Sequence, residues 1–203
     1  MPRLIQLVLR PTNDLVQSLH NASFHYDTSN ELFAAFLSPD MMYSCAIWPS
    51  DGEGSKATLE IAQKNKVRTI LEKAKLASHH HVFEIGCGWG YLAMEAVKIS
   101  GCCVTGITLS QEQKTLAEKR IAAAGLSDKI NILLCDYRDV IRPESGFDRV
   151  ISIEMIEAVG MEHMNTYFSS ISKLLSPENG IMGIQGITLT NHVWSDSIHQ
   201  DIR

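Results

Sequence analysis

Hydrophobic and polar positions change period along this chain in a way that marks alternating strands and helices. Val82, Phe83 and Ile85 make a short apolar run suited to a buried parallel strand, and residues 91–99 then carry apolar side chains at helical spacing. Upstream, Ala62, Val67, Ile70, Leu71 and Ala74 mark one face of a long helix. Residues 102–108 read as a second strand, followed by a helix whose apolar face holds Leu116, Ala117, Ile121 and Ala124 and which Gly125 ends. Residues 130–137, 147–154 and 181–187 read as the third, fourth and fifth strands. Before the last of these, Met164, Tyr167, Phe168, Ile171, Leu174 and Leu175 recur at three-to-four spacing, and a turn follows at residues 177–180. Strand and helix alternate five times, which predicts right-handed crossovers and an α/β fold with a doubly wound, mostly parallel sheet.

The stretch before this alternation is organised differently. Residues 1–22 mix polar and apolar positions and are broken by Pro11. The apolar run at residues 4–9, flanked by Arg3 and Arg10 and interrupted by Gln6, is too short for a signal peptide or a membrane span. It reads as a surface helix docked by one face, with a membrane-contacting segment as the alternative. The polar cluster at residues 27–30 can cap a helix carrying Leu32, Phe33, Phe36 and Leu37, ended by Pro39 and Asp40. Residues 51–54 are a loop, so the expected organisation is an N-terminal helical cap over residues 1–54 and a main domain over residues 55–189.

Composition narrows the class. With 203 residues, 45% of them hydrophobic, the chain can bury one sizeable core. Eighteen basic against 23 acidic residues leave a net charge of −5 without Lys/Arg runs, which argues against a nucleic-acid partner. Five cysteines, Cys45, Cys87, Cys102, Cys103 and Cys135, have no Cys-x-x-Cys spacing, so neither a disulfide framework nor a zinc ribbon is indicated. A reducing cytoplasm is the expected compartment. His79, His80 and His81 are adjacent on an extended segment and cannot all face one ion, so no metal site is expected.

Candidate chemistry centres on Gly86, Gly88 and Gly90, which remove Cβ atoms between the first strand and its helix, where unpaired N–H groups begin the helix. A nicotinamide fingerprint wants its third glycine three residues after the second, and that position is Tyr91. Gly-x-Gly-x-Gly with Glu84 two residues earlier suits S-adenosylmethionine, whose amino-acid end a carboxylate and backbone groups can hold. An ordinary glycine-rich turn stays open on this stretch alone. Ser110 and Gln113 make a capping box, and cofactor contact by Thr108, Leu109, Ser110 and Gln113 is the alternative to capping. Asp136 and Tyr137 offer a carboxylate and a ring suited to adenine. Ligands of such sheets bind beyond the carboxyl ends of the strands, and Gly86, Thr108, Asp136, Glu157 and Gln185 all lie at or near those ends.

Taken together, His25-Tyr-Asp, Met42-Tyr-Ser-Cys-Ala, Glu84-Ile-Gly-Cys-Gly-Trp-Gly, Thr105-Gly-Ile-Thr-Leu-Ser-x-x-Gln113, Leu134-Cys-Asp-Tyr-Arg138 and Glu154-Met-Ile-Glu-Ala-Val-Gly160 resemble the cyclopropane-fatty-acyl-phospholipid synthase family, most closely its plant-type enzymes. The resemblance covers about residues 21–188 and implies a Rossmann-like class I methyltransferase fold. It implies that Tyr43, Ser44, Glu84, Gly86, Gly88, Trp89, Gly90, Thr108, Leu109, Ser110, Gln113, Asp136 and Tyr137 hold S-adenosylmethionine. Cys45 and Glu157 match positions that hold a bicarbonate ion, and Gln185 falls on a third such position that is a histidine in bacterial members. By the residues alone, packing would equally explain Cys45 and capping would explain Glu157.

The implied reaction adds a methylene across a cis double bond of a phospholipid acyl chain, with bicarbonate as the base that removes a proton after methyl transfer. His25, Tyr26, Phe33, Phe36 and Trp48 would wall an apolar pocket that keeps water from the carbocation. The substrate implies a cytoplasmic enzyme associated peripherally with a membrane surface, and association with a second copy stays open. Family members continue beyond the fifth strand with a helix, an antiparallel strand pair and a further tyrosine. The expectation is therefore that the last strands are missing and that residues 190–203 are a divergent tail of a truncated chain. Two alternatives are a small-molecule N-methyltransferase of the coclaurine type, against which Ala158 and Cys45 speak, and a truncated, non-catalytic form.

Overall fold

The computed structural model describes residues 30–49 and 56–188. The expected N-terminal arm, His25 and Tyr26, the capping residues 27–29, the loop at residues 51–54 and the tail at residues 190–203 lie outside the described residues. The described elements run α1 (Asn30–Phe36), α2 (Leu59–Lys73), β1 (His81–Ile85), α3 (Tyr91–Ser100), β2 (Cys103–Thr108), α4 (Gln111–Ala123), β3 (Ile130–Leu134), β4 (Arg149–Ile153), α5 (Ile156–Val159), α6 (Met164–Leu174) and β5 (Ile181–Gln185). All strand pairs are parallel, in the order β3-β2-β1-β4-β5. The doubly wound α/β sheet expected from the alternation is therefore the observed one. Chain order reverses between β1 and β4, and the carboxyl ends of those two strands flank the crevice where such sheets take ligands.

Successive strand residues point to opposite faces, so each face has its own core. Val82, Val104, Ile130, Ile132 and Ile151 pack under α2, α3 and α4 against residues such as Val67, Leu71, Leu92, Ala96, Ala117 and Ile121. Phe83, Ile85, Ile107 and Val150 pack on the other face with Phe147, Tyr167, Ile171 and Leu174. Phe83 and Phe147 stack with ring centroids 4.8 Å apart. Burying each such side chain contributes about 1.5–3 kcal/mol, which ties α6 to the sheet. A smaller cluster of Phe33, Met41 and Trp89 docks α1 and the segment after it onto the glycine turn.

Strand boundaries differ from the sequence reading by one to three residues, most at three places. The third strand stops at Leu134 because the Asp136 carboxylate accepts the N–H of Arg138 at 2.9 Å and bends the chain into a 3₁₀ turn over Tyr137–Asp139. The fourth strand begins at Arg149, with Phe147 making only an isolated bridge to Leu175. The fifth ends at Gln185.

Candidate functional site

The glycine turn rises from β1 into the crevice. Gly86 and Cys87 both donate their N–H groups to the carbonyl of Ile107 at the end of β2, at 3.0 and 2.9 Å. Gly90, with φ +80°, begins α3, and a Cβ there would lie 3.3 Å from the Cβ of Ala117, so its glycine serves the fold. Gly88 differs. Its φ is +52° and a Cβ would meet nothing within 4 Å, so the space above it is open to a ligand.

Glu84 sits beneath this turn, 4% exposed, and its Oε2 is buried with no hydrogen-bond partner. Burial pushes its carboxyl up to about 8, opposed by the Lys66 cation and the N–H of Ala93. A buried carboxyl oxygen left unpaired beside the glycine turn suits a ligand bearing a cationic donor, which would supply the missing partner.

Residues 37–48 form a strap across the crevice, held from several sides. From α2, Gln63 Nε2 donates to the carbonyl of Ser44 at 2.8 Å, Asn65 Nδ2 to that of Ile47 at 2.9 Å, and Lys66 Nζ to the Ser44 hydroxyl at 2.6 Å. From α4, Arg120 donates to the carbonyls of Pro39, Asp40 and Trp89 at 3.2–3.3 Å. Lys66 is fully buried, and desolvation lowers its ammonium to about 8 against the pull of Glu154, Asp40, Cys45 and Glu84. Tyr43 is half exposed and stands edge-on to Phe33 and Phe36.

The sequence-predicted cofactor residues have distinct placements. The Trp89 ring is enclosed by Phe33 and Met41, and its Nε1 donates to Asn30 Oδ1 at 2.7 Å, so the indole packs the strap onto the turn. Thr108 donates to Gln113 Oε1 at 2.7 Å and accepts the Ser110 N–H at 3.2 Å, while Ser110 accepts the Gln113 N–H at 3.2 Å. Capping thus occupies Ser110, and the Gln113 side chain closes onto Thr108 instead of returning to the Ser110 N–H; Leu109 lies half-buried between them. Both Asp136 oxygens receive the Arg138 guanidinium, at 2.7 and 2.8 Å, and the Tyr137 ring stands edge-on to Tyr167. His80 and His81 engage Ala77 and Thr105, on different elements.

Cys45 and Gln185 are brought together, and Glu154 joins them. Gln185 Nε2 donates to the Cys45 carbonyl at 3.1 Å and to Glu154 Oε1 at 2.7 Å, and the same Oε1 accepts the Cys45 N–H at 2.9 Å. Cys45 is exposed instead of packed, and its thiol, bonded to Glu154 and partly desolvated, is held above the ordinary thiol range, so it stays protonated. Glu157 lies in the first turn of α5, exposed, where its Oε1 accepts the N–H of Ile187 beyond β5. Sequence reasoning assigned no role to Glu154, Lys66, Gln63 or Arg120. Lys66 had a signal: it lies four residues after Ala62 and four before Ile70, on the apolar face of α2.

Known proteins resemble this chain in sequence and fold. The chain is 41% identical over 185 residues to the tuberculostearic acid methyltransferase UfaA1 of Mycobacterium tuberculosis, covering 90% of this chain and 42% of that one. It is 42% identical over 154 residues to the cyclopropane-fatty-acyl-phospholipid synthase of Escherichia coli K12, covering 76% of this chain and 37% of that one. The chain therefore spans about two fifths of the length of these curated relatives. The crystal structure of mycolic acid cyclopropane synthase CmaA1 complexed with SAH and CTAB superposes with a TM-score of 0.78 at 31% identity, over 90% of this chain and 60% of that one. Residues 13–202 match the mycolic acid cyclopropane synthetase family, and with this fold, glycine turn and strap the chain belongs to that family.

Proposed function

We propose that this chain carries the catalytic core of an S-adenosylmethionine-dependent methyltransferase that modifies the double bond of a lipid acyl chain, the finer reading being cyclopropanation of phospholipids. The observation that carries the cofactor assignment is the unpartnered Glu84 oxygen at the end of β1, two residues before a glycine turn that is open at Gly88. The α-ammonium of an amino-acid ligand is the donor such an oxygen lacks. Glu84, Ser44 and the turn would hold the amino-acid end, and Tyr43, Thr108, Leu109, Gln113, Asp136 and Tyr137 would line the nucleoside. When bound, S-adenosylmethionine supplies an electrophilic sulfonium methyl. The solved relative CmaA1, whose complex holds SAH, supports the choice of cofactor.

The chain's own residues account for the rest of the reaction. Leu32, Phe36, Tyr43, Ile47, Trp48 and Ile61 expose apolar surface around the strap, which suits an acyl chain delivered from a membrane surface. No helix among the described residues is long and apolar enough to cross a membrane. Phe36 and Trp48 would exclude water from a cation formed on the substrate. Cys45, Gln185 and Glu157 would line the reacting centre, Cys45 held by the strap's ties to α2, Gln185 by β5 and Glu157 by the N–H of Ile187. Of the positions that the resemblance gives to bicarbonate, the Cys45 N–H and Gln185 Nε2 both meet the Glu154 carboxylate and Glu157 accepts the N–H of Ile187, so no step is assigned to that ion. Residues 1–54 as cap and 55–189 as catalytic core remain the proposed organisation.

The test is mass spectrometry of dioleoylphosphatidylcholine vesicles incubated with the chain and S-adenosylmethionine. A 14 Da gain on the acyl chain that resists mild hydrogenation is the cyclopropane. A gain that hydrogenation raises further indicates a methylene branch and leaves only the coarser reading; no gain rejects both.

A further inference from the structure

Glu154 follows β4 with a backbone φ of +50°, a left-handed value that costs a residue with a Cβ about 1 kcal/mol. What holds it there is a closed set of hydrogen bonds. Its N–H donates to the Gln185 carbonyl at 2.8 Å, its Oε1 accepts the Cys45 N–H at 2.9 Å and Gln185 Nε2 at 2.7 Å, and Gln185 Nε2 also reaches the Cys45 carbonyl at 3.1 Å. Two N–H donors from the strap and from β5 thus converge on one point at the carboxyl end of β4. Such a pair is an oxyanion site, and the chain fills it with its own carboxylate.

We propose that Glu154 is a catalytic residue, the proton acceptor of the reaction, standing where an exogenous oxyanion such as bicarbonate would otherwise bind. This rests on the methyltransferase reading. In the step itself, the π pair of the alkene forms a bond to the sulfonium methyl carbon while the carbon–sulfur pair leaves with sulfur, which becomes a neutral thioether. The second alkene carbon is then cationic. Glu154 takes one proton from the transferred methyl, and the released carbon–hydrogen pair closes the three-membered ring. The protonated carboxyl returns its proton to water. Protons beside a carbocation are so acidic that a carboxylate stabilised by two N–H donors remains a sufficient base. The neighbouring groups agree: the Cys45 thiol stays protonated beside Glu154, Lys66 places a cation near it, and Glu157 is engaged by the N–H of Ile187. Among these groups Glu154 is the one whose carboxylate meets both the strap and β5.

The experiment compares the 203-residue chain with Glu154→Gly and Glu154→Gln. Glycine suits the left-handed backbone, so the first variant vacates the oxyanion place without strain. Melting of the unmutated chain should be indifferent to bicarbonate at about 50 mM against chloride of equal ionic strength, whereas Glu154→Gly should be stabilised by it. Lipid alkylation by the unmutated chain in carbonate-free buffer should not rise on adding bicarbonate. Glu154→Gln should lower it about 100-fold while S-adenosylhomocysteine affinity stays within about twofold, and bicarbonate should partly restore Glu154→Gly. Stabilisation or activation of the unmutated chain by bicarbonate overturns the proposal, as does a Glu154→Gly melting curve that ignores the ion. A chain that binds S-adenosylhomocysteine but alkylates no lipid refutes the base assignment through the functional reading, and the melting arms still decide whether Glu154 fills an oxyanion place.

Discussion

Lys66 Nζ donates to Ser44 Oγ at 2.6 Å, joining a fully buried ammonium on α2 to the strap that crosses the crevice. An ammonium has donors only, so Ser44 must accept, which leaves its own hydrogen to donate elsewhere. That polarity would suit a carboxylate on the ligand's amino-acid end, opposite the α-ammonium proposed to meet Glu84. Lys66→Met should therefore weaken S-adenosylhomocysteine about tenfold, the scale of one charge-assisted hydrogen bond. Binding of 5′-methylthioadenosine, which lacks the amino-acid end, should hold constant. Calorimetric titration of both ligands decides it; an equal loss for the two would mean damage to the fold instead.

The glycine turn separates binding from stability. Gly88→Ala should cost about 1 kcal/mol, the strain of a left-handed alanine, because nothing stands in the way of the new methyl. It should still lower cofactor affinity at least tenfold by filling the open space. Gly90→Ala adds to the same strain a close approach to Ala117 and should destabilise by about 2 kcal/mol or more. Urea unfolding ranks the two, and a Gly88→Ala chain with unaltered affinity would remove the turn from the site.

Glu84 gives a pH dependence of definite sign. Its folded carboxyl titrates at about 8, well above the ordinary value, so the folded chain keeps a proton that the unfolded chain has lost. Its contribution is complete below the unfolded value of about 4.5 and is lost as pH rises through about 8. His80 and His81 are lowered by burial and act oppositely below about pH 6.5, and Lys66 acts oppositely above about 8. Subtracting the melting temperatures of Glu84→Gln removes the histidine part, and the unmutated chain should fall relative to the variant between pH 5 and 8. A ligand ammonium must ionise Glu84, so titration at pH 7 should release a proton, visible as a heat that varies with the buffer.

A buried hydroxyl pair holds α6 to β4. Ser152 Oγ and the Tyr167 hydroxyl are 2.6 Å apart, and neither residue is exposed. Tyr167→Phe leaves the serine unpaired and should cost about 1–3 kcal/mol; Ser152→Ala strands the tyrosine and should cost a similar amount. The double variant should cost less than the sum of the two, and additive losses in urea unfolding would contradict a shared bond.

Most of the scaffold was legible because a parallel strand buried on both faces, such as residues 82–85, and a helix with one apolar stripe, such as α2, carry their environment in their own pattern. Boundaries slipped where side chains intervene, as when Asp136 turns the chain after Leu134. The glycine turn was also readable, since its spacing limits what such residues can do, whereas the Tyr43–Cys45 segment drew its expected role from the family resemblance alone. Glu154 was not, because its partners Cys45 and Gln185 lie 109 and 31 residues away and meet only when the strap folds over the sheet. Lys66 stood in register with the apolar face of α2, but its partner Ser44 is 22 residues away, and the Trp89 ring looks available until Phe33 and Met41 enclose it.

The central claim is that the crevice between β1 and β4 binds the cofactor through Glu84 and Gly88. Calorimetric titration of the 203-residue chain with S-adenosylhomocysteine tests it most directly. The account predicts one site per chain, weakened by Gly88→Ala and unaffected by Glu154→Gln. No binding, or binding indifferent to both Gly88→Ala and Lys66→Met, would contradict it.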